Sequence, residues 1–208
     1  MTRIVKKADE RREEIIKAAR ELFQTKEYEK ATMQELIDTL NIAKGTIYHY
    51  YTSKQQLLEA VVEDIVDEEL KKKEELLNCE SGSKLKAFDK LKILITESRI
   101  ADDNEKILDS LHHPENLELH TKQLGRYIIK IAPLFASVIS EGCDEGVFKT
   151  DYPLECSEFI LAGVQFITDI GFYPWSDLQL DRRIKALPVL LENLLCAPAG
   201  SFDFITER

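Results

Sequence analysis

Thr32 is followed three residues later by Glu35, and Ser53 three residues later by Gln56, so one helix-start device occurs twice in a short stretch. In this device the hydroxyl accepts from the N–H three residues on. The acidic or amide side chain there accepts from the first residue's N–H, and two orphaned donors are satisfied together. Each copy predicts a helix start. Between them, Asn41 to Tyr51 leaves room for one tight turn and one short helix. The stretch reads as helix (Thr32–Leu40), turn (Asn41–Ala43), helix (Lys44–Tyr51), the lengths of a helix-turn-helix. Met33, Leu36, Ile37 and Leu40 recur at helical spacing, as do Ile15, Ala19, Leu22 and Phe23 in a helix expected from about Asp9 to Thr25. These faces pack into a three-helix bundle.

The rest of the chain keeps the helical period and shows no sustained apolar–polar alternation, so the fold class is all-α: an N-terminal three-helix bundle with a helix-turn-helix, then a larger helical ligand-binding and dimerisation domain. A long helix from Lys54 runs to about Cys79, where Ser81-Gly82-Ser83 breaks it. Further helices are expected at about Lys84–Ala101, Asn104–Leu111, Pro114–Glu141, Pro153–Phe172 and Gln179–Cys196. Pro133 and Pro188 fall inside two of them and predict a kink or break at each. The division expected is 1–53 for the helix-turn-helix domain, 54–80 for a bridging helix and 81–208 for the body.

Net charge is -10, which by itself argues against a polyanionic partner. The distribution reverses that argument. Residues 1–55 hold 11 Lys and Arg against 9 Asp and Glu, whereas residues 56–208 hold 17 against 29. A mildly basic end on an acidic body suits DNA binding with the body repelled from the duplex. On the second helix of the motif, Ile47 and Tyr51 face inward at i, i+4, leaving Lys44, Thr46, Tyr48 and His49 outward. Lys44 suits guanine O6 and N7 or a phosphate, Thr46 and Tyr48 suit phosphate oxygens, and His49 reaches base edges. Gly45 costs about 1 kcal/mol against alanine in a helix, which points to close backbone approach by a partner. Lys54, in the first turn of its helix, adds an ammonium where backbone N–H groups already favour phosphate. The plainer alternative is a packed cluster of Tyr48, Tyr50 and Tyr51 with solvated lysines. Arg3, Lys6 and Lys7 fit equally an arm reaching a minor groove or a free tail.

Ile15 to Phe23, Tyr28, Ala31-Thr32-Met33, Lys44-Gly45-Thr46-Ile47-Tyr48-His49-Tyr50-Tyr51, Ser53-Lys54 and Leu57-Leu58 together resemble the TetR family of bacterial regulators, over roughly Asp9 to Glu69. The resemblance implies a homodimeric operator-binding repressor released by a small-molecule effector. It places Thr32, Thr46, Tyr48 and Lys54 on phosphates and Lys44, Gly45 and His49 at the bases, with Met33 and Tyr50 in the same interface. Glu27, Asp38 and Asn41 depart from the family pattern. Asn tolerates the left-handed conformation, so Asn41 can serve the turn.

Two-fold operator reading calls for a dimer. Phe159, Gly163, Ile167 and Ile170 on one helix and Ile184, Leu187, Leu191 and Leu194 on the next form the expected interface, with an ordinary internal core as the alternative. Phe88, Leu111, His112, Tyr127, Phe135 and Phe166 are the expected lining of a pocket of about 300 to 1,000 Å3 for a small apolar or amphipathic effector. A body sensing a protein partner is the other regulator reading. A helical-bundle enzyme is a third, but no GxSxG, HExxH, Walker or dinucleotide glycine motif is present. The four cysteines are scattered and the histidines lack ligands at metal spacing, so neither a metal nor a cofactor is expected. No signal peptide or membrane span is legible, and the expected location is the cytoplasm.

Overall fold

The computed structural model describes residues 8–97 and 104–207. Arg3, Lys6, Lys7 and the expected helix end at Ala101 lie outside the described residues. Among the described residues every regular element is helical: α1 (Ala8–Thr25), α2 (Met33–Leu40), α3 (Lys44–Tyr50), α4 (Lys54–Asn78), α5 (Ala87–Thr96), α6 (Glu105–Asp109), α7 (Leu117–Asp144), α8 (Pro153–Thr168) and α9 (Asp177–Leu195). Short 3-10 turns occur at Tyr28–Lys30, Gly82–Lys84, Ser110–His112, Pro114–Asn116 and Asp203–Ile205.

Local chemistry sets most of these boundaries. Thr32 caps α2 through a complete reciprocal box: its hydroxyl accepts from the Glu35 N–H, and the Glu35 carboxylate accepts from the Thr32 N–H at 2.9 Å. Asn41 ends α2 in the left-handed conformation, φ 48°, which turns the chain into α3. At the start of α4 the box is shifted. Ser53 Oγ accepts from the Gln56 N–H at 3.0 Å, but the Gln56 amide oxygen takes the N–H of Thr52. A further complete box at Ser176 and Gln179 starts α9 at Asp177, ahead of the expected Gln179.

Pro133 and Pro188 sit inside α7 and α9, and of the kink or break expected at each, the break does not occur. A proline inside a helix costs about 3 kcal/mol through its missing N–H and its ring. Buried neighbours hold the helix on both sides, Ile131, Ala132 and Phe135 around one proline and Leu187 and Leu191 around the other. At roughly 1.5 to 3 kcal/mol for each large side chain, that burial outweighs the break. The helix expected to reach Phe172 stops at Thr168, and Asp169 Oδ1 accepts from the Gly171 N–H at 2.7 Å, a local bond that competes with helix continuation.

The described residues gather into two compact units. The first takes residues up to Glu68 with those of 104–123. Its core is built from Ile15, Ala19 and Phe23 of α1, Leu36 and Ile37 of α2, Ile47 of α3 and Leu57, Leu58, Val61, Val62 and Ile65 of α4. Ile107, Leu111 and Leu119 complete it. Arg20 on α1 reaches Asn104 Oδ1 at 3.2 Å and the carboxylates of Asp64 and Glu68 at 3.3 and 2.7 Å, tying α1 to α4 and to the residue that precedes α6.

The second unit takes residues from Glu69 to 97 and those from Leu124 onward. Its core joins Leu91 and Leu94 of α5, Ile131, Ala132, Phe135, Val138 and Ile139 of α7, Leu161 of α8 and Leu191 and Leu195 of α9. Phe148 folds back against α7 where Gly142 lacks a side chain; a Cβ there would stand 2.1 Å from the ring. Phe202, 1% exposed, brings the C-terminal turn into the same core.

Candidate nucleic-acid interface

The short helix α3 owes its orientation to one side chain. Ile47 is fully buried and Tyr51 nearly so, and together they seat α3 in the first unit's core. A seven-residue helix has too few internal bonds to persist without such an anchor. With Ile47 inward, Lys44, Gly45, Tyr48 and His49 are exposed and Thr46 and Tyr50 half-buried. The Lys44 ammonium lies 5.7 Å over the Tyr48 ring, and the His49 and Tyr50 rings meet edge to face at 5.3 Å. These contacts order the outward side chains without removing their donors from the surface.

Gly45 gains a sharper meaning. A Cβ built there meets no atom of the described residues within 4 Å, so their packing does not require glycine, and its helix cost of about 1 kcal/mol has no compensation among them.

The N-terminus of α2 lies in the same unit. Met33 is half-buried, and Thr32 is exposed, with its hydroxyl donating to Glu35 Oε2 at 2.9 Å. The Lys26 ammonium and the Thr32 donors hold the Glu35 carboxyl below its usual range. Glu27, one of the departures from the family pattern, pairs with Lys30 at 2.5 Å, and its acidity rises for that reason.

Lys54 is the residue the geometry redirects. Its ammonium, expected on a phosphate, donates to the backbone carbonyls of Tyr28 at 2.7 Å, Ala31 at 3.1 Å and Glu29 at 3.3 Å. It also lies 4.2 Å over the Tyr28 ring. Three ammonium hydrogens thus meet three carbonyls. No spacing rule indicates such partners, because they lie more than twenty residues away.

Two family models match this chain: "Bacterial regulatory proteins, tetR family" over residues 15–61, and "Tetracyclin repressor-like, C-terminal domain" over residues 99–189. The chain belongs to the TetR family. It is a DNA-binding transcriptional regulator of a non-enzymatic family whose members bind operator DNA and dimerise. Among curated TetR-family relatives it is similar to the HTH-type transcriptional repressor KstR2 of Rhodococcus jostii, 22% identical over 189 residues, spanning 88% of this chain and 91% of that protein. A 51-residue stretch is 35% identical to the HTH-type transcriptional regulator UidR of Escherichia coli, covering 24% of this chain and 26% of that one. The fold resembles a transcriptional regulator from Cytophaga hutchinsonii, with a TM-score of 0.63, 20% identity and coverage of 94% and 96% of the two chains. It also resembles a TetR/AcrR-family regulator from Thermobifida fusca, with a TM-score of 0.56, 25% identity and coverage of 88% and 97%.

The residues expected to serve the TetR-type body divide sharply. Phe159, Gly163, Ile167, Leu187, Leu191 and Leu194 all line one groove of about 490 Å3 between α8 and α9. Ile170 and Ile184 do not line it; Ile170 is exposed and Ile184 half-buried. The expected effector-pocket residues do not come together within either unit. Leu111 is in the first unit's core, and His112 of the same unit lies 4.0 Å from Asp109. In the second unit Phe88 packs with Phe148, Phe202 and Phe204, and Phe135 is core. Phe166 is exposed and stacked on Phe172 at 5.0 Å. Tyr127 donates to Glu69 at 3.1 Å, and Glu69 pairs with the buried Lys73, which donates to the Leu94 carbonyl at 2.8 Å. Burial pushes the Glu69 carboxyl and the Tyr127 phenol up and the Lys73 ammonium down. Aromatic composition identified these residues but carries no information on whether a ring fills a core or borders a cavity.

Among the described residues no helix is long and apolar enough to cross a membrane.

Proposed function

We propose that this chain is a cytoplasmic repressor that grips operator DNA as a homodimer and lets go when a small apolar or amphipathic effector binds its body. The observation that carries this reading is the outward face of α3. Lys44, Gly45, Tyr48 and His49 are exposed on a helix whose orientation Ile47 fixes, so donors for bases and phosphates stand together on a rigid element. In this reading Lys44, Gly45 and His49 face the bases. Thr32, Met33, Thr46, Tyr48 and Tyr50 contact the flanking backbone. The domain plan is a reading end over 1–53, the link of 54–80 and a sensing and pairing body over 81–208.

The homodimer reading is supported by the apolar surface of α8 and α9. Phe159 and Leu190, both more than half exposed, line the groove between them, and Phe166 and Val189 on the same helices are also more than half exposed. Covering them in a second copy removes apolar surface at about 25 cal/mol per Å2. Repression is supported by the relatives named as repressors, KstR2 among them.

Fluorescence anisotropy with labelled duplexes from the gene's own upstream region tests the proposal. One duplex is expected to bind far more tightly than scrambled DNA, with a steep salt dependence. A small-molecule panel is then titrated into that complex. Failure to prefer any duplex overturns operator binding by α3, and a panel that never shifts affinity overturns effector release.

A further inference from the structure

We infer that Lys54 is a positioning residue that clamps the start of α2 to the start of α4, and thereby sets the presentation of α3, rather than a phosphate contact. This rests on the reading of operator DNA by α3. Lys54 occupies the first position of α4, where the helix dipole disfavours a cation. Its ammonium turns away from that end to the carbonyls of Tyr28, Glu29 and Ala31. Tyr28 and Glu29 belong to the 3-10 turn Tyr28–Lys30, and Ala31 directly precedes Thr32, the cap of α2. One cation thus gathers three carbonyls around this turn and its cap, that of Tyr28 also accepting from the Ala31 N–H at 3.1 Å. The Tyr28 ring closes over the same ammonium, 4.2 Å from its centroid.

The consequence for α3 follows from connectivity. Leaving α2, the chain reaches α3 through the left-handed Asn41, and α3 ends at Tyr50, a few residues before Lys54. Gln56 fixes the intervening segment by accepting from the Thr52 N–H at 2.7 Å and donating its own N–H to Ser53 Oγ at 3.0 Å. Holding the start of α2 against the start of α4 closes a loop of structure that contains α3. Base readout depends on placement to within about 1 Å, so a loosened clamp costs specific binding more than general attraction to DNA.

A compact ammonium with three rotatable donors satisfies this site, whereas a planar guanidinium holds its donors in a rigid fork that fits three converging carbonyls less well. Lys54→Arg therefore separates the roles while conserving charge. The probes are a duplex selected from a random pool by the wild-type protein and a scrambled duplex of the same composition. Lys54→Arg is expected to lose about tenfold or more in affinity for the selected duplex. Scrambled-duplex affinity and the slope of log K against log salt stay at wild-type values. Tyr28→Leu, which removes only the ring, gives a smaller loss of the same kind. Circular dichroism and thermal melting establish that each variant is folded at the assay temperature.

If Lys54→Arg binds as wild type while Lys54→Met weakens both duplexes and lowers the salt slope by about one, Lys54 is a phosphate contact and the inference falls. It falls equally if the variants melt earlier but keep full operator affinity when folded, because Lys54 then serves stability alone. Should Lys54→Arg not fold, Tyr28→Leu decides by the same specific-against-scrambled ratio. Lys44→Ala and His49→Ala are the control: unchanged sequence preference in both overturns operator reading by α3, whatever Lys54 does.

Discussion

The outward face of α3 and the paired helices α8 and α9 both leave large side chains in solvent, with opposite chemistry. On α3, Tyr48 is 38% exposed beside Lys44 and His49, and each offers a polar end to the surface. On α8 and α9, Phe159 is 70% exposed and Phe166, Val189 and Leu190 are more than half exposed, none with a polar group to hydrate. Exposure alone therefore does not identify a partner. A face rich in donors is complementary to a polyanion whose contacts are charged and directional. A contiguous apolar face is complementary to another apolar face, and a two-fold copy of itself supplies one.

The strongest way to break this contrast is to place a charge on the apolar face. Phe159→Asp leaves the monomer folded, because that side chain is outside the core, but buries an unpaired carboxylate in the dimer. Dimer affinity measured by analytical ultracentrifugation is expected to fall on the order of a thousandfold, about 4 kcal/mol. Operator affinity falls with it. A dimer that forms as before would show that α8 and α9 do not pair the subunits.

On the polar face the expected effects are smaller and divide by role. Lys44→Ala and His49→Ala each remove roughly 1 to 3 kcal/mol of discrimination between the preferred duplex and base-substituted ones. Tyr48→Ala weakens all duplexes alike. Competition binding against a set of singly substituted duplexes reads both. Equal losses on every duplex for all three variants would remove the assignment of base readers on α3.

Gly45→Ala sharpens the contrast further, since stability and affinity are expected to move in opposite directions. The added methyl meets no atom of the described residues within 4 Å, so thermal stability is expected to rise by up to about 1 kcal/mol while operator affinity falls. If affinity stays at the wild-type value, close approach of DNA to this backbone is excluded.

The smallest effect lies on the acid side. Lys26 and then Thr32 hold the Glu35 carboxyl below its usual value of 4.5. Its contribution to folding is therefore complete above pH 4.5 and lost as pH falls through the lower folded-state value. Urea unfolding at successive pH values is expected to show wild type losing stability below pH 4.5 more steeply than Glu35→Gln. Parallel profiles would mean that the box at α2 does not depend on the charge.

Thr32 with Glu35, Asn41 and inward Ile47 were all legible in the sequence, and Phe159, Gly163, Ile167, Leu187, Leu191 and Leu194 were legible as apolar faces of two helices, expected at a subunit interface and found lining a groove. Each depends on neighbours within a turn or on one apolar stripe. Phe88, Leu111 and Phe135 were legible only as apolar; that Leu111 joins the first unit's core while Phe135 joins, and Phe88 packs against, the second unit's depends on which helices meet. That the helices run on unbroken through Pro133 and Pro188 was not legible, because the burial of Ile131, Phe135, Leu187 and Leu191 that offsets the local penalty depends on long-range packing.

By itself, the sequence determined an all-helical chain, a helix-turn-helix between Thr32 and Tyr51 and the family to which it belongs. Those features rest on hydrogen bonds and periodicities that span four residues or fewer, and on a continuous motif. Only the tertiary structure decided the environment of Lys54, because the carbonyls of Tyr28, Glu29 and Ala31 converge on it solely when α4 packs against the start of α2. A charge in a helix's first turn has the same local pattern whether it faces solvent, DNA or the backbone of a distant turn. Packing, not sequence spacing, selects among the three.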